Sequence, residues 1–209
     1  MNPRVVFAAG VVAALAFVAL LTGFLTRGDD EGDRREATAD GVIAEDAEFR
    51  GARIPPGVRA PDFDLRDEQG DALRMRDLRG KPVVVTFLYS TCEDTCPATA
   101  QQIRGALDQL GHDVPAVAIS VDPGNDTQQS ARRFLAEQNV TGRISFALGR
   151  RDQLAPLWDA YGTTPQSVQQ EHMSRAVLVD ADGYQRVGYP MQETSPDMIA
   201  HDLRALGAG

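Results

Sequence analysis

Pro82-Val83-Val84-Val85-Thr86-Phe87-Leu88-Tyr89-Ser90-Thr91-Cys92-Glu93-Asp94-Thr95-Cys96-Pro97 is the stretch that decides the fold. Its first half is β-branched and apolar with no polar alternation, which predicts a strand buried on both faces. Its last residue is a proline suited to the first position of a helix, where the missing N–H has no partner to lose. Apolar Ile103, Ala106, Leu107 and Leu110 continue that helix to about residue 110. A buried strand that leads through a loop into a helix is the building unit of an α/β sheet. Here the loop holds the only two cysteines of the chain.

Working outward, the same alternation of elements recurs. Upstream, residues 63–65 alternate like a short strand, and Glu68-Gln69-Gly70-Asp71 reads as the turn of an N-terminal β-hairpin. Downstream, residues 115–121 form a second buried strand, and Asp126 or Thr127 caps a helix that runs to about residue 138. Residues 144–148 are a third strand, followed by a helix over 152–161. Residues 175–180 are a fourth strand, and Ala181-Asp182-Gly183 turns the chain into a fifth over 184–188. Ser195 caps a last helix with Pro196 in its first turn. Strands alternating with helices imply a parallel-containing α/β sheet covered on both faces. The closing antiparallel hairpin and terminal helix point to a thioredoxin-like layout over residues 61–209.

The N-terminal part has a different character. Residues 5–25 contain no charged side chain. As a helix this run is about 31 Å long, enough to cross a hydrocarbon core of about 30 Å. A cleaved signal peptide has a shorter apolar core and a small-x-small cleavage site, which the sequence around Gly23-Phe24-Leu25 does not offer. No cysteine stands near this end to take a lipid. Residues 1–27 are therefore expected to be a single membrane anchor, with the C-terminal domain on the extracytoplasmic side of the cell membrane. Residues 28–60 hold a dense mixture of charges with little to bury and end in Pro55-Pro56-Gly57, and so read as a flexible tether.

Composition narrows the function classes. The chain has 209 residues and a formal net charge of -9. Such a chain repels phosphate, which excludes a basic nucleic-acid footprint. Two cysteines cannot make a disulfide framework, but they can make one bridge or one soft metal site.

The chemistry therefore concentrates at Cys92 and Cys96. Cys96 falls at or next to the start of a helix, where the macrodipole and free N–H groups favour a thiolate. Two thiolates brought to one spot can form and break a disulfide, or bind a soft ion such as Cu(I). A third candidate is His172, just before the strand at residue 175. In a thioredoxin-like sheet the loop before that strand lies beside the cysteine loop, so a neutral imidazole there completes a site of two cysteines and one histidine. Met173 is expected to pack, since neighbours on an extended chain point to opposite faces. Asp122 is either a turn starter or a carboxylate supporting the site. His112 and His201 read as surface residues, and Trp158 and Tyr161 as core or groove residues.

With these residues in hand the chain resembles the Sco/SenC family of membrane-anchored copper chaperones. The resemblance rests on residues 60–63, 80–83, 87–92 and 94–97, Ile119-Ser120-Val121-Asp122-Pro123, and the His172 loop followed by residues 178–183. It implies a thioredoxin fold that holds Cu(I) or Cu(II) through Cys92, Cys96 and His172. It also implies delivery of copper to subunit II of cytochrome c oxidase or another copper protein, maturing the binuclear Cu-A centre, or reduction of that centre's cysteines. Two departures stand out: Glu93 replaces the proline usual in the family, and Met173 replaces the usual Ser or Thr. The alternative reading is a membrane-tethered thiol–disulfide oxidoreductase. Against it, thioredoxin-type sites use Cys-x-x-Cys, and here three residues separate the cysteines. A peroxidase expects Thr or Ser three residues before its reactive cysteine, where this chain has Tyr89 and Glu93.

Overall fold

The structure of the protein, a computed structural model, describes residues 49–110, 114–166 and 175–207. In chain order its strands are β1 (Ala52–Arg53), β2 (Asp64–Arg66), β3 (Ala72–Arg74), β4 (Val83–Leu88), β5 (Ala116–Ser120), β6 (Ser145–Ala147), β7 (Arg175–Val179) and β8 (Gln185–Pro190). The helices are α1 (Thr95–Asp108), α2 (Gln128–Glu137), α3 (Arg151–Ala160) and α4 (Pro196–Ala205).

A six-stranded sheet runs in the order β1–β8–β7–β4–β5–β6, and β2 and β3 form a separate hairpin. β4, β5 and β6 are parallel, whereas β7 is antiparallel to both β4 and β8. This is the mixed α/β, thioredoxin-like layout expected from the order of the elements. Every residue of β4 is buried, as its unbroken apolar sequence requires. Its successive side chains enter two different cores. Val84 and Leu88 pack under α1, α2 and α4, whereas Val83, Val85 and Phe87 pack under α3 and the β2–β3 hairpin.

The capping chemistry follows the sequence closely. Thr127 accepts from the Ser130 amide in a capping box at α2, and Ser195 accepts from the Met198 amide at α4. Trp158 and Tyr161 are core residues, and the Trp158 indole donates to the Ser120 carbonyl at 2.9 Å.

The expected tether boundary moves toward the N-terminus. Residues 49–60 are part of the folded body rather than a spacer. Phe49 is buried, β1 pairs with β8, and the Ile54 amide donates to the Arg186 carbonyl. A Cβ on Gly51 would come within 2.4 Å of a Val187 methyl and 2.5 Å of the Tyr189 ring, so the backbone passes there only as glycine. The charged composition of 28–60 hid these few apolar anchors.

The apolar run 5–25 and residues 28–48 lie outside the described residues, as do His112, His172 and Met173. Among the described residues no helix is long and apolar enough to cross a membrane.

Candidate metal centre

The cysteine loop leaves the carboxyl end of β4, where α/β sheets collect their functional groups. α1 begins at Thr95, two residues before the proline expected to open it. Pro97 still falls in the first turn, where its missing N–H is tolerated. The earlier start places Cys96 inside the first turn with no exposed surface.

The N-cap residue of α1, Asp94, makes no side-chain capping bond. The Cys92 sulfur caps instead: it accepts the Cys96 N–H at 3.2 Å, with the Thr95 hydroxyl 3.9 Å away. An anion at a helix N-terminus is stabilised by the dipole and the free amides together. Both cysteines are free thiols and both are buried.

The two sulfurs differ in acidity. The Cys96 thiol donates to Cys92, and this, against an opposing cost of burial, brings Cys92 down to about 5. The Cys96 and Asp94 amides and the Tyr89 side chain lower it further. Donating that hydrogen bond and being buried both push Cys96 up, far beyond the ordinary thiol range. The asymmetry of the hydrogen bond makes Cys92 the more acidic sulfur of the pair and Cys96 the one that keeps its proton. Iodoacetamide is expected to label Cys92 at a rate that rises through about pH 5 and then levels off. An ordinary thiol, half ionised near about pH 8.5, is still gaining there. Peptide mapping by mass spectrometry across that range checks this, and Cys96 should stay unlabelled.

A half-buried carboxyl holds the loop in place. Asp126 Oδ1 accepts from the Ser90 amide at 2.7 Å and the Ser90 hydroxyl at 2.6 Å. Its Oδ2 accepts from the Ser120 hydroxyl at 2.5 Å. The carboxyl thus ties the ends of β4 and β5 together two residues before Cys92. Burial raises its pKa against the lowering effect of these serine bonds. The sequence directed attention to Asp122 instead. Asp122 is a turn starter: its carbonyl accepts the Asn125 and Asp126 amides, and its carboxyl accepts from the Asn125 side chain at 2.8 Å. Asp126 was read as a possible cap, a role that Thr127 fills. What marks Asp126 is its two serine donors, Ser120 at the end of β5 and Ser90 two residues past β4.

Glu93 and Asp94 are exposed between the cysteines. His201 is half-buried and bonded to Asp202 at 2.8 Å. Among the described residues no group of three or more His, Cys, Asp and Glu side chains could hold a metal ion. The sequence-expected third ligand, His172, is outside the described residues. Its neighbourhood in the chain is nonetheless defined on one side. Thr86 of β4 pairs with Ala176 of β7, and the Thr86 hydroxyl donates to the Arg175 carbonyl at 2.8 Å. The chain therefore enters β7 at the sheet end where β4 leaves for the cysteine loop.

A family model for SCO1/SenC proteins matches residues 53–207. The chain belongs to the SCO1/SenC family. Within that family, protein SenC of Rhodobacter capsulatus is 34% identical over 130 residues, which cover 61% of this chain. The match spans 54% of SenC, about half of that relative's length. ScoI of Bradyrhizobium japonicum, solved with copper bound, superposes with a TM-score of 0.59 at 27% identity. That superposition covers 70% of this chain and 98% of ScoI. A SCO1/SenC family lipoprotein of Bacillus anthracis shares the fold, with a TM-score of 0.66 at 20% identity over 76% of this chain and 99% of its own.

Proposed function

We propose that this chain is a membrane-anchored, extracytoplasmic copper metallochaperone. Copper is its cargo, bound by Cys92, Cys96 and His172 and passed to subunit II of cytochrome c oxidase, or to another copper protein, to mature the Cu-A centre. Residues 5–25 serve as the anchor. The observation that carries the reading is the pair of free, adjacent cysteines at the mouth of β4, one of which accepts a backbone N–H at the helix N-terminus. Soft, few-ligand donor sets of this kind suit Cu(I). Copper bound in the ScoI relative supports the choice of ion. For His172, support comes from the entry of β7 beside the cysteine loop.

A second reading, a thiol–disulfide oxidoreductase that reduces partner cysteines, is favoured by the reactive Cys92 beside a protonated Cys96. One experiment separates the two. The reduced full chain in lipid nanodiscs is titrated with Cu(I) against a chelator, as wild type and as His172→Ala. One tight equivalent that weakens on losing His172, by more than about tenfold, is expected of a three-ligand site. Tight binding untouched by His172→Ala removes the histidine from the site. No tight copper leaves disulfide exchange as the function.

A further inference from the structure

On the opposite side of β8 from the cysteine core, the structure holds a cavity of about 690 Å³. That is within the range of roughly 300–1,000 Å³ used by small-molecule sites. Ile54, Pro55, Val58 and Ala160 supply much of its apolar lining, and Arg175 and Tyr161 also line it. Nothing in the copper reading uses it.

The wall shows what its occupant must offer. Two glycines flank the Arg175 guanidinium. A Cβ on Gly162 would lie 3.2 Å from Arg175 Nη1, and one on Gly188 would lie 3.1 Å from Nη2. With no side chain at either place, the guanidinium lies directly against the two glycine backbones in the cavity wall. Its recorded bond is a long one of 3.4 Å to the Gly162 carbonyl, and among the described residues no carboxylate pairs with it. Arg53 also lines the cavity, against one acidic residue, Asp159.

An apolar chamber whose wall carries a guanidinium that no carboxylate pairs among the described residues suits one ligand chemistry. We infer that this cavity binds a carboxylate carried on an apolar body, with the carboxylate on Arg175. The body is either a compact aromatic acid or the acyl chain of a fatty acid. A guanidinium fork recognises a carboxylate by two parallel charge-assisted bonds, which a neutral amide cannot reproduce.

The test uses the full chain in nanodiscs of zwitterionic lipid and follows a trifluoromethyl-labelled phenylpropionate by fluorine NMR. Saturable line broadening beyond that of empty nanodiscs is expected. Unlabelled phenylpropionate should displace the probe if the site takes compact acids, and decanoate should if it takes acyl chains. The probe's amide and the Arg175→Gln variant should each bind at least about tenfold more weakly. Arg175→Lys, which retains the charge and loses the fork, should fall between. The inference is overturned if broadening matches empty nanodiscs, if neither acid competes, if the amide binds like the acid, or if both Arg175 variants bind like wild type. Copper titration of the same variants should be unchanged, which keeps this result separate from the chaperone reading.

Discussion

Replacing either Cys92 or Cys96 with alanine is expected to weaken Cu(I) binding by more than about 100-fold, since losing even an outer partner of a ligand typically costs 10–100-fold. The two variants should nevertheless fail differently. Cys92→Ala removes the sulfur that caps α1 and accepts the Cys96 N–H. It deletes the thiolate itself, and alkylation near pH 6 should vanish. Cys96→Ala leaves the Cys92 sulfur but removes the thiol whose hydrogen bond is the largest cause of its low pKa. Cys92 should then titrate closer to an ordinary thiol. Its thiolate fraction near pH 6 falls steeply, partly offset because a more basic thiolate is more nucleophilic. The net expectation is alkylation several-fold slower at about pH 6 and little changed near pH 9. Chelator competition and a pH-resolved labelling series check both halves. Near-wild-type copper affinity in either variant would remove the dithiolate from the site.

How much of this was legible in the sequence depends on how local each signal is. The buried strand β4, the caps at Thr127 and Ser195 and the β2–β3 turn all rest on residues within a few positions of one another, and each is where local chemistry puts it. The cysteine pair was legible for the same reason. What was not legible depends on contacts across the fold. Asp126 matters because two serines, 36 and 6 positions before it, converge on one carboxyl. No window of sequence shows that convergence. The start of α1 at Thr95 was misjudged because a proline is a conspicuous helix opener. The Cys92 sulfur, four positions before the amide it caps, is not a residue normally sought in that role. The early start of the domain was missed because Phe49 and Gly51 are embedded among charges and find their partners on β8 and α4.

That last set of contacts gives the largest expected stability effect. Asp202 is fully buried in α4, and its position in the sequence reads only as a polar residue on an amphipathic helix. Its carboxyl accepts the Arg50 amide at 2.8 Å and the Gly51 amide at 2.9 Å. It also accepts the Tyr189 hydroxyl and bonds His201 at 2.8 Å. Four groups from three parts of the chain thus meet one side chain, which locks the N-terminal segment and β1 onto the edge of the sheet. Asp202→Ala leaves two backbone amides without their acceptor, at about 1–3 kcal/mol for each orphaned group, and leaves the Tyr189 hydroxyl only its long bond to the Met198 carbonyl at 3.3 Å. The total expected loss is roughly 2–5 kcal/mol, carried by the two orphaned amides and the weakened phenol bond. For a domain of this size that lowers Tm by about 10 °C or more. Asp202→Asn keeps one acceptor but turns an amide NH2 toward donors, so it should recover only part of the loss. Tyr189→Phe removes a donor and its partner's burden together and should cost far less, about 1 kcal/mol. Thermal and urea unfolding followed by circular dichroism measure all three. If Asp202→Ala proves no worse than Tyr189→Phe, the carboxyl is not what closes the N-terminal segment onto the domain. The cysteine loop, held at the carboxyl ends of β4 and β5 by Asp126, should keep its Cys92 labelling profile in every variant that remains folded.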